Sequence, residues 1–134
     1  MRILGLDWGT VRVGAAMSDE AGSLAFPLQD PLNSKTAIAE IKKLTEEYGI
    51  AKIIIGRPVA MSGQETESTA GAEKFGEKLK KLLPVPIEYV DERLSSVASG
   101  KSLHDQGIKE KDQRQLKDNI AAALLLQQYL DTKK

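Results

Sequence analysis

Four acidic residues stand where a folded chain could gather carboxylates: Asp7, the adjacent pair Asp91 and Glu92, and Asp118. Asp7 nearly ends the run Arg2-Ile3-Leu4-Gly5-Leu6-Asp7-Trp8, which is otherwise apolar on both faces. An aspartate there is costly to bury unless it is paired or holds a metal; the plainer reading is a carboxylate capping the Gly9-Thr10 turn. Asp91-Glu92-Arg93 closes a second apolar run. Successive strand side chains point to opposite faces, so only one of the two acids can share a site with Asp7 while the strand stays regular. Asp91 has the parity of Ile87 and Tyr89, Glu92 that of Glu88 and Val90, and the choice stays open. Asp118 shares a helical face with Ala121, Ala122, Leu125 and Tyr129, whose small members permit a close approach to a sheet. Alone, it reads as an acid near a helix N-terminus, where the dipole is worth under ~1 kcal/mol. Taken together, clustered carboxylates repel one another and a hard cation removes the penalty. With no cysteine and a single histidine, His104, the available donors are oxygens, the set Mg²⁺ prefers. Two such ions roughly 3.5–4 Å apart can activate water and stabilise a leaving oxygen in phosphodiester hydrolysis.

The elements that would position these acids follow from periodicity. Residues 2–8, 11–18 and Ser23 to Leu28 read as three strands with short connections, hence antiparallel, with Pro27 placing the third at an edge. Ile38, Ile41, Leu44 and Tyr48 mark a helix over 35–48 ended by Gly49. Residues 51–57 form a β-branched buried strand, and 58–66 a Pro/Gly/Ser loop. Phe75, Leu79, Leu82 and Leu83 mark a second helix stopped by Pro84, and 86–91 a fifth strand. Residues 95–106 have helical character, 107–113 read as a polar mobile loop, and a last helix runs from about Gln113 to Leu130. The expectation is one α/β domain over 1–134, a mixed five-stranded sheet flanked by helices.

Composition excludes more than it selects. The absence of cysteine rules out disulfides, thiolate zinc sites and a cysteine nucleophile, and suits a reducing cytoplasm. No basic stretch followed by a long apolar run opens the chain, and the apolar run Ile120 to Leu126 is far short of the roughly 20 residues a membrane span needs. A cytoplasmic protein without membrane attachment is therefore expected. Net charge is zero, yet residues 61–92 carry four Lys/Arg against seven Asp/Glu and residues 93–134 eight against five. The basic C-terminal third is either a nucleic-acid footprint or a set of solvated helix faces.

Four segments in order carry a family resemblance. Leu6-Asp7-Trp8-Gly9-Thr10-Val11-Arg12-Val13-Gly14 resembles the opening signature of the YqgF/RuvX family of pre-16S ribosomal RNA nucleases, which are related to Holliday-junction resolvases. Ile55-Gly56-Arg57-Pro58 with Met61-Ser62-Gly63, the block Asp91-Glu92-Arg93-Leu94-Ser95-Ser96, and Lys117-Asp118-Asn119-Ile120-Ala121-Ala122 are similar to its later motifs. The resemblance implies an RNase H-like fold and Mg²⁺- or Mn²⁺-dependent nuclease chemistry. It implies Asp7, Glu92 and Asp118 as the active-site acids, with Asp91 as a further metal-ligand candidate, and maturation of the 5′ end of 16S ribosomal RNA as the role. Candidates for substrate contact are Gly9, Thr10, Arg57, Arg93, Ser95, Lys101, Lys109, Lys111 and Arg114. Arg57 stands where the family usually has leucine, and Ala98 where an acid often follows the Asp-Glu-Arg block.

Three other readings compete. A resolvase of branched DNA would use the same chemistry but needs two symmetric cuts and hence a homodimer, where RNA processing is open to a monomer. A non-catalytic RNA-binding module would rest on Lys101, Lys109, Lys111, Arg114 and Lys117, because an aromatic content of 4% supplies a poor stacking platform. The Asp7-Trp8-Gly9-Thr10 turn also resembles the phosphate-binding opening of actin-like ATPases, which need two such domains around one nucleotide.

Overall fold

The computed structural model describes residues 1–9, 12–29, 32–57, 66–91 and 110–132, with backbone alone for 68, 91 and 110–117. At the centre of the sheet lies β1 (Arg2–Asp7). On one side β2 (Arg12–Ser18) pairs with it antiparallel, followed by the edge strand β3 (Ala25–Pro27). On the other side β5 (Ile50–Arg57) and then β6 (Ile87–Asp91) run parallel to it. A two-residue strand, β4 (Leu32–Asn33), pairs with the start of β2. The sheet is mixed, as the sequence predicts, with six strands rather than five among the described residues. Two residues are too few to show any periodicity, which hides β4 from a sequence reading.

Helices α1 (Ala37–Tyr48) and α2 (Glu67–Leu82) cover one face of the sheet, and α3 (Glu110–Thr132) covers the other. Alternation along the strands divides the core between them. Leu4, Leu6, Val13, Ala15, Ile53 and Ile55 pack toward α1 and α2, whereas Ile3, Ala16 and Ile54 pack toward Ala122, Leu125, Leu126 and Leu130 of α3. Gly49 ends α1 in the left-handed region at φ 63°, its N–H donating to the Thr45 carbonyl. Thr66 and Thr69 form a reciprocal cap at the start of α2.

Several boundaries differ from expectation. β3 keeps only three of the six residues from Ser23 to Leu28, since Asp19 ties Ser23 and Leu24 into the preceding turn. Tyr48 and Leu82, expected on apolar faces, are 46% and 58% exposed. Leu79 and Leu83 take the inward positions at the end of α2, and Tyr48 instead lies beside the Arg2 guanidinium, 5.8 Å from its ring centroid. The last helix begins at Glu110, so residues 110–113, expected as part of a polar loop, are helical. Glu, Lys and Gln are strong helix formers, and Glu110 and Asp112 as acids in a first turn suit the dipole. The expected helical character of 95–106 lies outside the described residues.

Candidate metal centre

Asp7 is the last residue of β1, and its Cα is paired with a glycine on each flanking strand, Gly14 of β2 and Gly56 of β5. Alternation from Ile3 puts it on the α3 face. The same row of the sheet continues from Gly56 to Val90 of β6, which also packs on the α3 side. Because β1, β5 and β6 are parallel, their C-terminal ends lie along one edge, the usual place for a site in an α/β sheet.

The helix supplies the second acid. Asp118 lies eight residues beyond Glu110, more than two turns inside α3. The dipole effect fades within the first turn, so a simple N-terminal acid no longer accounts for this position. Its backbone rests directly on Gly14: a Cβ there would fall 2.0 Å from the Asp118 carbonyl oxygen and 3.0 Å from its Cβ. Only glycine lets the helix sit so close. Asp118 is thus seated over the residue paired with Asp7, and the two acids, more than a hundred positions apart in sequence, share one face and one edge.

The next residue fixes that seat. Asn119 is fully buried; its Oδ1 accepts from the Ala15 N–H at 2.8 Å and its Nδ2 donates to the Leu28 carbonyl at 2.8 Å. Two turns on, Gln127 does the same for the edge strand, accepting from Ala25 N–H and donating to the Ser23 carbonyl. These amides set the register of α3 on β2 and β3, and so the height of Asp118 above the sheet. On the opposite face the Trp8 ring lies against Gly71 of α2, anchoring the chain just beyond Asp7.

A cation already stands beside Asp118. Arg12 Nε lies 3.2 Å from Asp118 Oδ2, with the two side chains 50% and 32% exposed. An ion pair this wet is worth only about 0–1 kcal/mol. Sequence reasoning passed over Arg12, Gly14 as a seat, and Asn119. The available signals were an arginine on the α3-facing parity of β2, a glycine at the same parity, and an amide inside an apolar helix.

The other candidates divide as follows. At Gly9 a Cβ would lie 2.6 Å from the Arg12 carbonyl oxygen, so the position is closed to a side chain. Arg57 turns toward the other face, its Nε 3.1 Å from Glu73 Oε1 of α2. Asp91 ends β6 opposite Arg57, described by its backbone alone. Lys111, Arg114 and Lys117 lie on α3, also by backbone alone. Thr10, Glu92, Arg93, Ser95, Lys101 and Lys109 lie outside the described residues. Among the described residues no three acids or histidines are grouped to hold a metal, and no helix is long and apolar enough to cross a membrane.

A family model described as RuvX, Holliday junction resolvase, matches residues 1–132. The chain belongs to the RuvX family. Among RuvX relatives, a protein of Dictyoglomus turgidum is 34% identical over 134 residues, covering 98% of this chain and 95% of its own. One from a Sulfurihydrogenibium species is 40% identical over 132 residues, covering 97% and 90%. Both are provisionally named pre-16S rRNA nucleases. Among solved structures, Thermus thermophilus RuvC in complex with a Holliday junction matches with a TM-score of 0.63 at 14% identity, over 99% of this chain and 95% of that one. The fowlpox virus Holliday junction resolvase matches at 0.62 and 13%, over 98% and 99%. At such identities the likeness shows the fold, which is the RuvC-like, RNase H-like α/β architecture anticipated from the sequence.

Proposed function

We propose that this chain is a divalent-metal-dependent endonuclease that hydrolyses a phosphodiester in structured nucleic acid, with the 5′ end of the 16S ribosomal RNA precursor as its substrate. The observation that carries the reading is the seat of Asp118 over Gly14, the strand partner of Asp7, at the C-terminal edge of the parallel strands. Family membership and the names of the relatives supply the substrate class. The donor set fits a hard cation: carboxylate oxygens, without thiolates. Asp7 and Asp118 would hold it, joined by Glu92. The parity of Glu92 is that of Glu88 and Val90, and Val90 packs on the α3 side, which favours Glu92 over Asp91 as the third ligand. Mg²⁺ or Mn²⁺, when bound, supplies an activated water and charge relief at the leaving oxygen.

The chain's own residues do the rest. Asp7 is held rigid at a central strand end, with Trp8 packed behind it. Asn119 and Gln127 keep α3 from sliding, so Asp118 would keep a fixed height over Gly14, the strand partner of Asp7. Such rigidity matters because a carboxylate must be in place before the phosphate arrives. The basic positions Lys101, Lys109, Lys111, Arg114 and Lys117 would follow the phosphate backbone, and binding would weaken with salt.

A second reading, resolution of four-way DNA junctions, draws on the description of the matching family model and is no better supported than RNA processing. Side-by-side cleavage of a 16S precursor fragment and a four-way junction, with Mn²⁺, separates the two. The expected result is RNA cleavage that disappears in Asp7→Asn while the thermal melt is retained. Cleavage that survives Asp7→Asn would refute the metal-site chemistry.

A further inference from the structure

We infer that Arg12 is a phosphate-binding residue, which grips the nucleic-acid backbone beside the scissile bond and holds Asp118 in position until that strand arrives. This rests on the nuclease reading above and assigns a task to a residue that reading does not use.

Arg12 opens β2, two residues before Gly14, and so shares the sheet face of Asp7 and Asp118. Its backbone is closely approached by Gly9, where a Cβ would lie 2.6 Å from the Arg12 carbonyl oxygen. Its head is held by Asp118, Nε to Oδ2 at 3.2 Å, while half of the side chain stays exposed at the open edge of the site. A guanidinium carries five N–H donors in a planar fork, and its contact with Asp118 is an ion pair on the Nε side. A fork of that shape matches two oxygens of a phosphate.

Charge balance favours the same task. A cation that served only to neutralise Asp118 would compete with any divalent ion for that carboxylate. A phosphate removes the competition, since its oxygens accept from the arginine while the carboxylates face the metal, and the charges then alternate across the site. The ion pair with Asp118 is exposed, so little is lost when the guanidinium turns from one anion to the other.

The test uses Arg12→Gln and Arg12→Lys, each in the otherwise native chain and in an Asp7→Asn background that binds without cutting. Mn²⁺ alone is titrated calorimetrically into the Asp7-containing proteins. Binding of a 16S precursor fragment is measured against salt in the Asp7→Asn proteins. Arg12→Gln should bind Mn²⁺ as tightly as the native chain or more tightly, since a competitor has gone. It should bind RNA roughly tenfold more weakly, the usual worth of a hydrogen bond to a charged group. The slope of log affinity on log salt should shrink by about 0.7–0.9, the loss of one phosphate contact. In cleavage assays the loss should appear mainly in KM. Arg12→Lys should keep the salt slope while losing part of the affinity. If Arg12→Gln weakens Mn²⁺ binding and leaves the RNA affinity and salt slope unchanged, Arg12 only orients Asp118 and the inference fails. If the native chain neither binds nor cuts RNA or a junction in Mn²⁺, the nuclease reading fails first and takes this one with it.

Discussion

Replacing Gly14 by alanine should damage catalysis far more than folding. The new Cβ would sit 2.0 Å from the Asp118 carbonyl oxygen and 2.4 Å from its carbonyl carbon. Ordinary contact needs more than a further ångström, and both atoms belong to backbone, so β2 and α3 must separate. Overpacking of this kind costs about 1–3 kcal/mol. A domain stable by roughly 5–15 kcal/mol stays folded under that load. For a chain of this size the melting temperature should fall by roughly 4–12 °C. The separation lifts Asp118 from its seat on Gly14, the strand partner of Asp7, and a misplacement near 1 Å can reduce turnover about 10²-fold. Circular dichroism melts and Mn²⁺-dependent cleavage of the same precursor fragment measure both effects. Gly5→Ala, whose Cβ would lie 2.9 Å from Leu126 Cβ, eight residues along α3 from Asp118, and 3.4 Å from the Ala122 carbonyl oxygen, is the milder clash and should lose less activity. Near-native cleavage by a destabilised Gly14→Ala protein would refute the claim that the seat on Gly14 sets the geometry of the site.

Asn119→Ala should destabilise the protein by roughly 1–3 kcal/mol in urea denaturation, because it strands the buried Ala15 N–H without a partner and takes one from the part-buried Leu28 carbonyl. Asp19 is held below the usual carboxylate range by the backbone N–H of Ser23 and then that of Leu24, with further help from the Ser23 hydroxyl. Its contribution is therefore present above the unfolded value of about 3.9 and lost as pH falls through the lower folded value. The melting difference between the native chain and Asp19→Ala should be constant from neutral pH down to that range and shrink below it; a difference independent of pH would contradict this.

Much of this arrangement is legible in the sequence, for identifiable reasons. Leu4 and Leu6 on one parity with Ile3 on the other, and Ile53 to Ile55 in the neighbouring strand, mark β1 and β5 as buried on both faces, and Asp7 stands out against them. Gly49 and Pro84 announce where α1 and α2 stop. The start of α3 is obscured because Glu110-Lys111-Asp112-Gln113 is polar throughout, which mimics a loop while Glu110, Lys111 and Gln113 favour helix. The seat of Asp118 on Gly14 is a contact between positions 104 residues apart, and no local pattern encodes which glycine of β2 meets which turn of α3. Arg12 escapes notice for the opposite reason, since an exposed arginine at the start of a strand looks like any solvated charge until its partner is known.

The central claim is that Asp7 and Asp118 hold the same cation. Crystals of the chain grown with Mn²⁺ and a non-hydrolysable RNA strand test it through anomalous scattering. The account predicts a peak bonded to a carboxylate oxygen from each residue, at about 2.0–2.3 Å. Manganese bound beside the RNA with neither Asp7 nor Asp118 among its ligands would contradict it.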